Sequence, residues 1–360
     1  MITVTISESL IYYRIPFIKI VCNKNADEMA RLNLRGKHVL VTGSEGFIGS
    51  HVTEQLLRQG AEVRAFVMYN FRGELGWIGH LRDKADIYPG DIRDYNAVHE
   101  AMKGIDVVLH LAASISVPYS VVHPREVVET NVIGTLNTLI AAKEQGVGRI
   151  VQVSTSETFG NPEYVPIDEK HPKNPQSPYA ASKVAGDGLC KAFYDSYNLP
   201  VVTIRPFNTF GPRQSPRAII PSIILQLLDG NTVKAGNLFT TRDLTFVEDT
   251  AAGIIRGGFV KGIEGMEINL GTGNETRIGD LIKIVAKLMD KEVKIQTVPE
   301  RTRGKKLELV RLLSNNTLAR KRLGWKPSYG LEEGLGKTIE WFRKNKKEYE
   351  GAYYLEHKQR

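Results

Sequence analysis

Only two cysteines occur in the 360 residues, Cys22 and Cys190, and neither belongs to a CxxC pair or a Cys/His set. A disulfide framework and a structural zinc site are thereby excluded, and a reducing, cytoplasmic setting is expected. Long apolar runs are also missing. The longest candidate, IYYRIPFIKIVC near the start, is broken by Arg14, Pro16 and Lys19 and has no small-residue cleavage site after it, so neither a membrane span nor a secretory leader is expected. Residues 1–35 are set apart as an extension without an assigned role. Internal repeats and low-complexity tracts are absent too, which argues against a solenoid or a disordered chain. The charge is +8, yet Lys and Arg are scattered and no nucleic-acid-reading motif accompanies them. An anionic small substrate or a merely solvated basic surface accounts for that balance, and no metal is implied.

What is present is an ordinary globular composition, 42% hydrophobic, enough to bury one large or two modest domains. The organised part opens with GKHVLVTGSEGFIGSHVTEQLLRQG. His38 to Thr42 read as a short buried strand, and Val52, Leu56 and Leu57 mark one face of a helix. Between them, Gly43 permits a tight turn, Gly46 lets backbone amides approach a pyrophosphate, and Gly49 lets the helix pack close to its strand. Phe47 and Ile48 begin the helix, whose N-terminus offers partial positive charge to phosphates. Strand and helix patterns then alternate through AEVRAFV, ADIYPGDIRD, YNAVHEAMKG and IDVVLHLAA. Such alternation predicts a Rossmann-type, doubly wound α/β fold with a parallel sheet covered on both faces.

A dinucleotide is therefore the expected cofactor. An acidic residue at the end of the second strand would favour NAD. NAD is expected, but Met68, Tyr69 and Asn70 stand there instead, with Arg72 close by, so NADP stays open.

Further along, GVGRIVQV reads as another buried strand and is followed by STSETFG, whose Thr155, Ser156 and Glu157 bring two hydroxyls and a carboxylate to a strand end. PYAASKVAGD then opens a helix after Pro178, with Tyr179 and Lys183 four apart on one face. A free tyrosine titrates near ~10. A neighbouring ammonium and a positive nicotinamide would favour its phenolate, which could then take a proton from a sugar hydroxyl.

The GxxGxxG spacing, the strand-end hydroxyls and YxxxK together resemble the extended short-chain dehydrogenase/reductase family. The resemblance implies that Asp91 and Ile92 contact adenine and that Leu111, Ala112 and Ala113 line the cofactor, with Thr155 hydrogen-bonding the hydroxyl on which Tyr179 acts. Residues 36 to 345 resemble nucleotide-sugar 4,6-dehydratases, and STSETFG is similar to the Thr-Ser-Glu segment of the GDP-mannose enzymes. VPYSV, VPIDEKHPKNPQSPYAASK, RPFNTFGPRQSPRAIIPSII and TRDLTFVEDT resemble the branch acting on nucleotide-linked N-acetylglucosamine in legionaminic acid synthesis. This implies oxidation at C4, loss of water across C5 and C6 with Glu157 and Ser156 involved, and return of hydride to C6. Ser156 replaces the Asp usual in dTDP-glucose enzymes, and Phe159 a common Tyr.

A smaller α/β lobe is expected to bind the nucleotide sugar through Asn208, Arg217, Arg242 and Arg303, guanidinium groups being suited to phosphate. Glu308 is a candidate ribose acceptor by resemblance to the GDP-mannose enzymes. The expected division is 36–206 with 240–275 for the cofactor, 207–239 with 276–350 for the sugar, and 351–360 as a tail. Amphipathic patterns in IGDLIKIVAKLMD and LEEGLGKTIEWFRK give helices packing the smaller lobe. The family resemblance also implies a homodimer through the helix carrying Tyr179, with a tetramer left open. Rival readings are a UDP-glucuronate decarboxylase, a 4-epimerase, and a non-catalytic NAD(P) sensor or RNA-associated protein.

Overall fold

The computed structural model describes residues 32–298 and 308–349. Residues 1–31 of the extension, the candidate Arg303 and the tail lie outside them. Thirteen strands run in chain order through the described residues: β1 His38–Thr42, β2 Glu62–Met68, β3 Asp86–Gly90, β4 Val107–His110, β5 Arg149–Val153, β6 Val201–Pro206, β7 Asn208–Phe210, β8 Thr232–Ala235, β9 Thr241–Phe246, β10 Glu267–Leu270, β11 Glu275–Arg277, β12 Lys294–Thr297 and β13 Arg311–Leu312. The helices are α1 Phe47–Arg58, α2 Tyr95–Ala101, α3 Val117–Val122, α4 Pro124–Val128, α5 Gly134–Glu144, α6 Pro178–Tyr197, α7 Ile219–Asp229, α8 Val247–Phe259, α9 Ile278–Leu288 and α10 Leu331–Lys344.

Seven strands form one sheet in the order β10-β6-β5-β4-β1-β2-β3, every neighbouring pair parallel. The chain moves outward from β1 to β3 and then crosses to β4 on the other side. That reversal puts the ends of β1 and β4 side by side, with Thr42 opposite His110, and such a switch point is where open α/β sheets bind ligands. Alternation along the strands sorts their side chains to two faces. Leu40, Val108, Ile150 and Val201 meet Val98, Leu139 and Cys190 on one face. On the other, Gly257 and Gly258 bring α8 against Val107, Leu109, Val151 and Ile204.

The second lobe is built on β9, which pairs with β7 and β13 in parallel and with β11 antiparallel. Its core joins Phe210, Ile223, Leu227, Phe246, Leu281, Leu335 and Phe342 from α7, α9, α10 and these strands. Both helices expected from amphipathic patterns therefore form, at α9 and α10. Between residues 240 and 275 the chain changes layers: β9 lies in the smaller sheet, α8 packs on the large one, and β10 is its edge.

Candidate active site

The turn after β1 is held by Gly43 at φ +70, in the left-handed region that favours glycine, and a Cβ there would sit 3.0 Å from the backbone of Ala112. Gly49 packs closer still, since a Cβ on it would fall 2.0 Å from the Gly43 carbonyl oxygen. Gly46 is the N-cap of α1, with no side-chain cap and no acidic residue in the first turn. The first-turn amides are thus left to an external acceptor, which fits the phosphates of a dinucleotide. Phe47 and Ile48 direct their side chains into the core of the second lobe, so only their amides remain for a cofactor.

Beneath the turn, Thr42 Oγ1 accepts hydrogen bonds from Leu111 and Ala112 amides at 3.1 Å and meets His110 Nδ1 at 2.8 Å. With both amides donating to Thr42, its hydroxyl proton goes to Nδ1, leaving Nε2 protonated toward Thr135 at 3.3 Å. Burial, followed by the charge of Lys183, pushes His110 down to about 3, so the ring is neutral. The segment 110–113 therefore lies at the switch point, joined to β1. Asp91 is gripped by Arg93 at 2.5 and 2.9 Å, and this bond leads the influences that hold its carboxyl below the usual range. Ile92 is buried against Gly134. Asn70 folds its amide onto Glu74, donating to its carbonyl at 2.8 Å and accepting from its N–H at 2.9 Å, while Arg72 stays exposed beside the Glu74 carboxylate.

The end of β5 leads into a single 3-10 turn over Ser156–Phe159, capped by Thr155 Oγ1 accepting from the Glu157 amide at 3.2 Å. Thr155 and Glu157 are partly exposed, whereas Ser156 is buried beneath them. α6 begins at Pro178, with Ser177 Oγ accepting from Ala180 N at 3.1 Å as its N-cap. Its first turn packs the Tyr179 ring against Val117 and Val127 and brings the phenol near enough to the Thr155 hydroxyl for that hydroxyl to favour its phenolate. Burial raises the phenol well above its ordinary value; the Thr155 hydroxyl pulls it down, and the charges of Glu157 and Asp187 push it up again. Lys183 Nζ donates to the Val153 carbonyl at 2.6 Å, and burial lowers it despite the opposing Asp187. The expected aid from Lys183 to the phenolate is not among the influences acting on Tyr179, where burial dominates, and the ammonium is turned to the Val153 carbonyl instead.

Several contributors were not apparent from spacing. Asn131, in a π turn over Glu129–Ile133, donates to Ser182 Oγ at 2.9 Å and clasps both backbone groups of Ser114. Arg205 is fully buried and donates to Asp187 at 2.6 Å and Glu267 at 2.8 Å, while Asp187 also accepts from Ser154 at 2.8 Å. Ser154 precedes Thr155 and Asp187 follows Lys183 by one helical turn, so this cluster braces both of these segments. An unpaired arginine motif gives no sequence sign of such partners.

Asn208 opens β7, and its buried Oδ1 meets no hydrogen-bond donor among the described residues, as suits a substrate contact. Arg242 lies on β9 with Nη1 donating to the Thr241 carbonyl, and Arg217 is exposed before α7. The Glu308 carbonyl accepts from Asn161 at 3.2 Å, and Leu309 packs with Phe159 and Phe207. Residues 308 and 309 are thereby brought beside the STSETFG turn. No His/Cys/Asp/Glu group suited to a metal ion occurs among the described residues.

A family model described as GDP-mannose 4,6 dehydratase matches residues 40–338. The UDP-glucose 4-epimerase of Mycolicibacterium smegmatis is 36% identical over 84% of this chain and 98% of its own. UDP-glucuronic acid decarboxylase 1 of Xenopus tropicalis is 32% identical over 86% of this chain and 72% of its own. Among solved structures, the dTDP-glucose 4,6-dehydratase of Streptomyces venezuelae, crystallised with NAD, aligns with TM-score 0.79 and 31% identity over 87% of this chain and 99% of its own.

Proposed function

The chain belongs to the GDP-mannose 4,6-dehydratase family of NAD-dependent nucleotide-sugar enzymes, and we propose that its own reaction is 4,6-dehydration of a nucleotide-linked hexose to the 4-keto-6-deoxy sugar. The observation that carries this reading is the single turn that sets the Thr155 hydroxyl against Tyr179 and the Glu157 charge near the same phenol. Bound NAD supplies the hydride acceptor, the returning hydride, and a positive charge that opposes the upward pull of burial on Tyr179. Tyr179, aligned by Thr155 with Lys183 one helical turn away, takes the proton of the C4 hydroxyl as that carbon is oxidised. The new C4 carbonyl acidifies the C5 proton. Glu157, with Ser156 below it, removes that proton and delivers it to the C6 hydroxyl, which leaves as water; as hydride returns to C6, C5 takes up a proton in exchange for the one that Tyr179 accepted. Asn208, Arg217, Arg242, Arg303 and Glu308 are assigned to the nucleotide and sugar, and the cytoplasm to the enzyme.

The test is incubation with UDP- and GDP-hexoses followed by mass spectrometry, with loss of one water expected. Glu157→Gln should lower that loss by a factor of about 100 or more while the absorbance of reduced NAD still develops. Release of carbon dioxide from UDP-glucuronate, or a C4 epimer without water loss, would instead assign the chain to the reaction of one of its relatives.

A further inference from the structure

The second strand ends without the carboxylate that a dinucleotide fold uses to hold the adenosine ribose. Met68, Tyr69 and Asn70 occupy that end, and the Asn70 amide is consumed by both backbone groups of Glu74. A carboxylate reaches the same place by another route. Glu45, inside the glycine turn, accepts a hydrogen bond at Oε1 from the amide of Met68, the last residue of β2, at 2.9 Å. Its second oxygen, Oε2, is buried and meets no donor among the described residues. The backbone of Glu45 is fixed as well: its carbonyl accepts from Trp77 N at 3.1 Å, and Gly76, at φ +49, approaches so closely that a Cβ there would lie 2.7 Å from that carbonyl oxygen.

We infer that Glu45 is the ribose-binding and cofactor-selecting residue, its free oxygen accepting the adenosine 2′-hydroxyl of NAD and its charge repelling the 2′-phosphate of NADP. The inference rests on the NAD-dependent reading above. A carboxylate oxygen is acceptor-only, so a ribose hydroxyl satisfies it, whereas a phosphate brings only further acceptors and like charge. The cation that would favour NADP is not held at this spot: Arg72 is 69% exposed, 3.6 Å from the Glu74 carboxylate and against the Phe71 ring.

Nucleotide released from the purified holoenzyme is identified by mass spectrometry, and dissociation constants of NAD and NADP for the stripped protein are measured by calorimetry. Released NAD and at least a tenfold preference for it are expected, with Glu45→Gln shrinking that preference tenfold or more by tightening NADP, and Glu45→Asp keeping it. Glu45→Ser provides the same comparison should the Gln protein not fold. An unchanged preference in a folded Gln or Ser variant, or a wild type favouring NADP, overturns the assignment to Glu45. Failure to bind either dinucleotide overturns the NAD-dependent reading itself.

Discussion

Thr155 and Glu157 flank a buried Ser156 on one turn, and that single alternation leaves a hydroxyl and a carboxylate accessible together. The same sensitivity of a side chain to its surroundings governs His51, on α1, whose Nε2 meets the Pro212 carbonyl at 3.2 Å. Burial, and then the charge of Arg213, pushes His51 from 6.5 down to about 4. Below pH 6.5 the unfolded chain takes up a proton that the folded chain refuses, so stability falls as pH drops from 6.5 toward 4. The full effect is about 3 kcal/mol. His110 acts in the same sense to about 3. Asp249, raised by burial to about 6, acts oppositely: the folded chain binds its proton first, adding stability as pH falls from 6 toward 3.8. Urea denaturation across this range should show a shallower acid loss for His51→Gln than for wild type, and equal slopes would refute the assignment.

Along α6, Tyr179, Lys183 and Asp187 recur every fourth residue on one buried strip. The helix begins where Pro178 and the Ser177 cap allow and ends at Asn198, at φ 54 in the left-handed region. Its tertiary anchor is the pairing of Asp187 with Arg205, both side chains fully buried. Burial works against the charge of Arg205, and Asp187 and Glu267 outweigh it, raising the guanidinium above its ordinary value. Removing one partner of such a pair strands the other, at a cost of roughly 3–5 kcal/mol. Asp187→Ala should therefore unfold at distinctly lower urea, and the double variant with Arg205→Met should lose less than the two single losses combined. A single variant as resistant as wild type would show that Glu267 and Lys173 suffice without Asp187. The helix itself was legible from Pro178 and the YxxxK spacing because those are local signals. Its anchor was not, since Arg205 lies 18 residues beyond Asp187 and on β6, outside the helical period that links Tyr179, Lys183 and Asp187.

For the whole molecule, the helical run beside α6 leaves Val121, Val122, Val128 and Ile133 exposed. We propose that a second copy covers this side, giving the homodimer implied by family resemblance. Sedimentation equilibrium at micromolar concentration should give twice the chain mass, and Val122→Glu with Val128→Glu should give the monomer; a monomeric wild type would sink the proposal. The parallel sheet, the glycine turn and the Tyr179–Lys183 pair could all be read in advance, because strand periodicity, a turn needing glycine and a four-residue helical offset are written into neighbouring positions. The membership of β9 in the smaller sheet, the approach of Leu309 to Phe159 and the arrival of Glu45 at the end of β2 could not. By itself, then, the sequence determined the alternating elements and the chemistry carried by each segment. Only the tertiary structure decided which segments meet, because strand order and layer packing bring together residues whose separation along the chain leaves no periodic trace.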